Sequence, residues 1–217
     1  AWVWSVEAGA HARETPLRRG VLGFQPERGR WLGLAELGPA LLGEDDGKEA
    51  IVPLDLDLAE LSYCSIAVFD ADMAACACPY LFTVDWRTGR PRLAVLEAGG
   101  PVHALHGRSR RVLYPTEDGL AWADVGGSTP QVLATTRLDE ASCPRAEALA
   151  IAPDGQTAAV GCDGGRILKL ELPSLATRAS AAAPASDDAG PIVTMTFSPD
   201  GAELLVGFDS GAIDRIA

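Results

Sequence analysis

The chain has 217 residues, 47% of them hydrophobic and 22% charged, with a formal net charge of −12. That composition supports an ordinary hydrophobic core, in one large all-β domain or two small ones. The acidity excludes general binding to phosphate backbones, which needs a basic face, and no window approaches the ~18 unbroken apolar residues of a membrane helix.

The chain opens inside an apolar run, AWVWSVEAG (1–9), with no initiating Met and no leader, so it is expected to be part of a longer protein. GVLGFQPERGRWLGLAEL (20–37) holds a first strand with a degenerate turn at Pro26–Gly29. PALLGEDDG then runs into the Asp46-Gly47 turn, and KEAIVPLDL follows as the next strand. LDLAELS (56–62) fits one helical turn or an alternating strand equally well. SIAVFDAD reads as a first strand, and YLFTVDWRTGRPRLAVL as a third and fourth. PVHALHG, RRVLYPTEDG and LAWADVGG continue the series, with a turn at Asp118-Gly119.

The last third of the chain makes the repetition plain. IAPDGQTAAVGCDGG (151–165) and FSPDGAELLVGFDSG (197–211) match turn for turn, with Pro153 and Pro199 about 46 residues apart. In each, Pro pre-sets φ, Asp accepts main-chain hydrogen bonds and Gly takes positive φ, so Pro153-Asp154-Gly155 and Pro199-Asp200-Gly201 close tight turns. A second turn follows at Asp163-Gly164 or Asp209-Ser210-Gly211, then another apolar strand, RILKLEL or AIDRIA. TRASAAAPASDDAG (177–190) is small, polar and broken by Pro184, and is expected as an exposed loop. Third strands are expected to end at Ser5, Asp55, Asp85, Asp124 and Glu171.

VWSVEAG, TVDWRTGRP and FSPDGAELLVGFDSG resemble the WD-repeat β-propeller family. The resemblance implies an all-β propeller of four-stranded antiparallel blades, about five of them here, within a larger ring of the seven usual for the family. The approximate blades are 1–19 (part), 20–61 (irregular), 62–99, 100–140, 145–189 and 190–217 (incomplete). The family's third strand ends in Trp-Asp. Trp4-Ser5 keeps the Trp, Val84-Asp85 keeps the Asp, and Leu170-Glu171 substitutes both. Asp46, Asp118, Asp163 and Asp209 match the family's turn Asp, but no Gly-His pair precedes the first strands. The family's His–Ser/Thr–Asp–Trp network is therefore expected to be absent, leaving these carboxylates to serve their turns locally. Trp4, Trp86, Trp122 and Phe197 are expected to pack between blades.

The search for chemistry is brief. No G-x-S-x-G, H-E-x-x-H, Walker loop or dinucleotide fingerprint is present. His103 and His106 point to opposite faces of a strand and cannot share a metal. Asp55 with Asp57, and Asp70 with Asp72, fall short of a calcium loop. GRSRR (107–111) reads as a solvated turn. The five cysteines, Cys64, Cys76, Cys78, Cys143 and Cys162, are odd in number and scattered, so reduced thiols are expected. Cys76 and Cys78 lack the two-residue gap of a zinc site and read as small buried hydrophobes.

The reading is a non-catalytic protein–protein interaction scaffold in a multi-protein complex. It needs no cofactor, metal, nucleic acid, membrane insertion or small-molecule substrate. The acidity favours a partner with a basic patch. An intracellular, cytoplasmic location is expected, with a structural role in a cytoskeletal, ciliary or transport assembly as the narrower alternative. A propeller enzyme would need His, Asp or Glu converging on one axis.

Overall fold

A computed structural model describes the first ten strands as backbone and, from Ala104 to Ala217, side chains as well, apart from residues 128, 140, 142 and 184–189. Trp4, Trp86, Asp46, Gly47, His103 and the segment 56–62 lie outside the described residues.

Twenty-one strands are described, and almost all follow the simplest topology, in which each strand pairs with its neighbour in sequence. β1 (Trp2–Val3) pairs with β2 (Arg13–Glu14). β3 (Val21–Gln25), β4 (Arg30–Ala35), β5 (Gly38–Asp45) and β6 (Lys48–Pro53) form an antiparallel four-stranded sheet. β7 (Ser65–Val68), β8 (Met73–Ala77), β9 (Tyr80–Asp85) and β10 (Pro91–Glu97) form a second four-stranded sheet in sequence order. β11 (Ala104–His106), β12 (Arg111–Thr116), β13 (Gly119–Asp124) and β14 (Gln131–Arg137) form a third. β15 (Ala146–Ile151), β16 (Thr157–Cys162), β17 (Arg166–Glu171) and β18 (Ala176–Ala182) form a fourth. β19 (Ile192–Phe197), β20 (Leu204–Phe208) and β21 (Ile213–Ile216) make a three-stranded sheet. The chain divides into two compact units, Ala1–Cys78 with Phe82–Leu93, and Pro79–Leu81 with Ala94–Ala217.

In the second unit the middle strands are buried on both faces, which is why RVLYPT, GLAWAD and TAAVGC read as continuous apolar runs rather than alternating ones. Alternation decides which core each side chain joins. Leu113, Leu120 and Trp122 from the sheet β11–β14 meet Leu149, Val160, Leu168 and Leu170 from the sheet β15–β18. The intervening residues Ala148, Ala150, Ala159 and Ile167 face the other way, onto Ile192, Met195, Val206 and Phe208 of the sheet β19–β21. Small side chains on one side and large ones on the other let the second pair of sheets interlock. Trp122 is 1% exposed, and its indole Nε1 has no hydrogen-bond partner among the described residues. Phe197 is partly buried against the second core.

Three expectations are corrected. Residues 177–182 are strand and not loop: Ala176–Ala182 forms the outer strand β18, exposed along its whole length. An outer strand needs only its ladder hydrogen bonds and no buried face, so Ala, Thr and Ser suffice and no apolar pattern announces it. The register of the first full sheet also moves. PALLGED is its third strand and KEAIVP its fourth, because RWLGLA is the second. Asp46-Gly47 thus falls between third and fourth strands, unlike Asp118, Asp163 and Asp209, which fall between second and third. Asp45 replaces Asp55 as the end of a third strand, which evens the spacing to Asp85, Asp124 and Glu171. Finally, Cys143 and Cys162 are joined in a disulfide, with their Cα atoms 5.1 Å apart. The pair escapes notice in the sequence because folding alone brings the connection before β15 beside the end of β16.

Candidate functional site

The stacked sheets of the second unit sort their turns onto two ends. At one end lie the turns between first and second strands, and they touch from sheet to sheet. Ala152-Pro153-Asp154-Gly155 is closed by Gly155 N–H to Ala152 O at 2.9 Å, and Asp154 Oδ1 accepts from Gln156 N at 2.8 Å. The next repeat builds the same turn, with Gly201 N–H to Ser198 O at 2.8 Å and Ala202 N–H to Asp200 Oδ1 at 3.1 Å. Gly155 and Gly201 have φ of 69° and 74°, where a side chain would be strained. Ser198 Oγ donates to Asp200 Oδ1 at 2.6 Å. That hydroxyl, then the Ala202 N–H, holds the Asp200 carboxyl below its ordinary range.

His106 joins two sheets at this end. Its Nε2 lies 3.2 Å from Pro153 O and its Nδ1 2.7 Å from Ser109 Oγ. A carbonyl only accepts, so Nε2 is the donor to Pro153 O, while Nδ1 shares its hydrogen bond with a hydroxyl that can both donate and accept. The imidazole lies over Gly155, where a Cβ would come within 2.9 Å of its Cε1. On the other side, Pro153 Cδ sits 3.5 Å from the Cβ position of Gly201. Three successive turns are thereby packed in a row.

The opposite end carries the turns between second and third strands: Asp118 before Gly119, Asp163-Gly164-Gly165, and Asp209-Ser210-Gly211. Gly164 and Gly211 both have φ of 85°. The connections between sheets return to this end. Arg145 O accepts from Asp163 N–H and Pro191 O from Asp209 N–H, each at 3.0 Å. Asp163 and Asp209 thus hold their turns through the main chain, and their exposed carboxylates take no hydrogen bond from the described residues. The local side-chain role expected of them belongs to Asp154 and Asp200 at the other end. Asp118 meets Arg137 at 3.9 Å, but with side chains 76% and 86% exposed this pair contributes little. Arg145 is taken up by Glu147 at 2.5 Å. Glu117, also exposed, adds to an end face with one aspartate per sheet.

Gly119 has a different role from the other turn glycines. A Cβ there would stand 2.2 Å from Thr136 O and 2.8 Å from Arg137 Cα. The position admits the neighbouring strand β14 at close range. GRSRR forms the turn between β11 and β12 and the start of β12, where Arg111 Nε lies 4.0 Å from Asp124 Oδ2. Among the described residues no group of three or more His, Cys, Asp or Glu is placed to hold a metal. The contacts of His106 and the Cys143–Cys162 pair carry no local sequence signal, since each joins residues of different elements.

No family model and no curated protein matches the chain. Solved structures do. The fold is similar to the crystal structure of the Myceliophteria thermophila Cps50 (Swd1) β-propeller domain, with a TM-score of 0.71 at 14% identity, covering 99% of this chain and 76% of that one. It is similar also to the C-terminal WD40 domain of Sif2, with a TM-score of 0.65 at 16% identity, covering 100% of this chain and 63% of that one. The class is therefore an all-β, WD-repeat propeller-like fold, built from antiparallel sheets of three or four strands that resemble blades. At these identities the likeness concerns the fold.

Proposed function

We propose that this chain is a non-catalytic interaction scaffold, and that its partners dock on the end bearing Asp118, Asp163 and Asp209. The observation that carries the reading is the repeat of an exposed aspartate at one position of three stacked sheets, with at least two carboxylates unused by their own turns. A carboxylate that neither holds its turn nor pairs with a cation is available to a partner. With a net charge of −12, the partner is a protein with a basic patch, and charge steers the encounter. The sheets are read as blades with the boundaries given above, within a ring that closes through further blades. The chain acts within a multi-protein complex, with no cofactor and no small-molecule substrate.

We place the protein inside the cell. An odd cysteine count leaves at least one thiol unpaired within the chain, which a reducing compartment tolerates. A cytoskeletal, ciliary or transport assembly is a narrower version of the same reading.

The test is quantitative affinity purification of the tagged native protein beside an Asp118→Arg, Asp163→Arg, Asp209→Arg variant with an unchanged melting curve. The variant is expected to lose the salt-sensitive partners by tenfold or more, roughly the effect of removing a few interfacial charges. Recovery of the same partners at the same yield refutes this assignment of the binding face.

A further inference from the structure

We propose that Cys143 and Cys162 form a reversible redox latch on the connection between the sheets β11–β14 and β15–β18. Cys143 lies in that connection, where its N–H donates to Asp139 O at 2.7 Å, and Cys162 is the last residue of β16. Both cysteines are 0% exposed and packed in the core with Leu149, Val160 and Leu168.

The repeat supplies an internal control. Asp163 N–H to Arg145 O in one sheet corresponds to Asp209 N–H to Pro191 O in the next, each at 3.0 Å. In the second of these joints the residue at the position of Cys162 is Phe208, 3% exposed. The joint therefore closes without sulfur. The disulfide adds a covalent tie to a geometry that main-chain bonds and apolar packing already make. Both redox states are compatible with the fold, since two buried thiols behave as small hydrophobes in the same core. What the bond changes is the freedom of the connection to lift from the end of β16.

Closing the latch is thiol–disulfide exchange with a small disulfide of the glutathione type. One cysteine, as thiolate, attacks the small disulfide, forms a mixed disulfide and releases one small thiolate. The second cysteine, as thiolate, attacks the protein sulfur of that mixed disulfide and releases the other. The two cysteines lose two electrons and two protons, and one small disulfide becomes two small thiols. Opening is the reverse. Because neither sulfur is exposed, exchange in either direction waits on local opening of the connection, and the fold gates its rate.

The full chain tests this in three measurements. In a glutathione buffer poised oxidising, residue-resolved alkylation under denaturation should leave Cys143 and Cys162 unmodified until a reductant is added; their alkylation beforehand overturns the pairing. Reduction of the native protein should run roughly a hundredfold slower than in denaturant and level off as reductant concentration rises, as opening-limited exchange requires. Equal rates refute the gating. Tryptic cleavage after Arg145 should rise on reduction by roughly fivefold or more and fall again on reoxidation, with the far-UV spectrum unchanged. A Cys143→Ala, Cys162→Ala variant should match the reduced protein in either buffer. Cleavage that is indifferent to redox state, or loss of the fold on reduction of the wild type, overturns the latch.

Discussion

Asp154 and Asp163 are both exposed turn aspartates in one sheet, yet they hold their turns by different atoms. The Asp154 carboxylate accepts from Gln156 N at 2.8 Å, whereas Asp163 contributes its main-chain N–H, donated to Arg145 O. Substitution by alanine removes only side-chain bonds. Asp154→Ala is therefore expected to cost about 1 kcal/mol, the net worth of one such hydrogen bond, and Asp163→Ala less than about 0.5 kcal/mol. Paired urea melts decide it, and equal losses would mean that the Asp163 carboxylate is engaged. The Pro-Asp-Gly turns were legible in the sequence because every atom they use lies within a few consecutive residues. The division of labour between the aspartates was not, since Asp163 N–H finds its acceptor 18 residues earlier in the chain. The same holds for His106, whose partner Pro153 O is 47 residues away.

At the scale of elements, inner strands announce themselves and outer strands do not. RVLYPT and TAAVGC are apolar because both their faces are buried. Ala176–Ala182 is exposed along its length, held by main-chain pairing and the Arg178–Glu171 ion pair rather than by a buried face, and its composition reads as loop. In the first full sheet, two close-set turn signals, Pro26–Gly29 and Asp46-Gly47, competed to mark the second strand, and only the pairing of β4 with both β3 and β5 settles the order. Where an outer strand docks closely, the inner sheet must leave room. Gly119 pairs with Arg137, and its missing Cβ would lie 2.2 Å from Thr136 O. The obstructing atoms are main chain and cannot swing aside. Gly119→Ala is thus expected to cost about 2 kcal/mol or more through displacement of the end of β14. Chemical denaturation measures the loss, and hydrogen exchange should localise it to 131–137. A neutral substitution would show that β14 docks more loosely.

At the scale of the molecule, stacking should make equivalent positions unequal. Ile167 and Ile213 occupy the same place in successive repeats, 46 residues apart, near the start of the third strand and opposite Gly161 and Gly207 of the second. Ile167 is 7% exposed because the sheet β19–β21 packs over it, while Ile213 is 73% exposed. Leu205 follows suit: it is 39% exposed where its counterpart Ala159 is 2% exposed. The sequence keeps an apolar residue at both positions, since repetition records the role in the blade rather than its neighbours, and so sequence alone does not tell a covered face from an open one. Lysine separates them. Ile167→Lys buries an unpaired charge between two sheets and is expected to cost more than about 3 kcal/mol. Ile213→Lys places the charge in water and should change stability by less than about 0.5 kcal/mol. Thermal melts of the two variants at several protein concentrations give the comparison. A large loss at Ile213 that shrinks on dilution, as the wild type gives up the same cover by mass action, would mean a second copy covers the face. A large loss independent of concentration would mean the chain covers it with its own sheet, as a closed ring does.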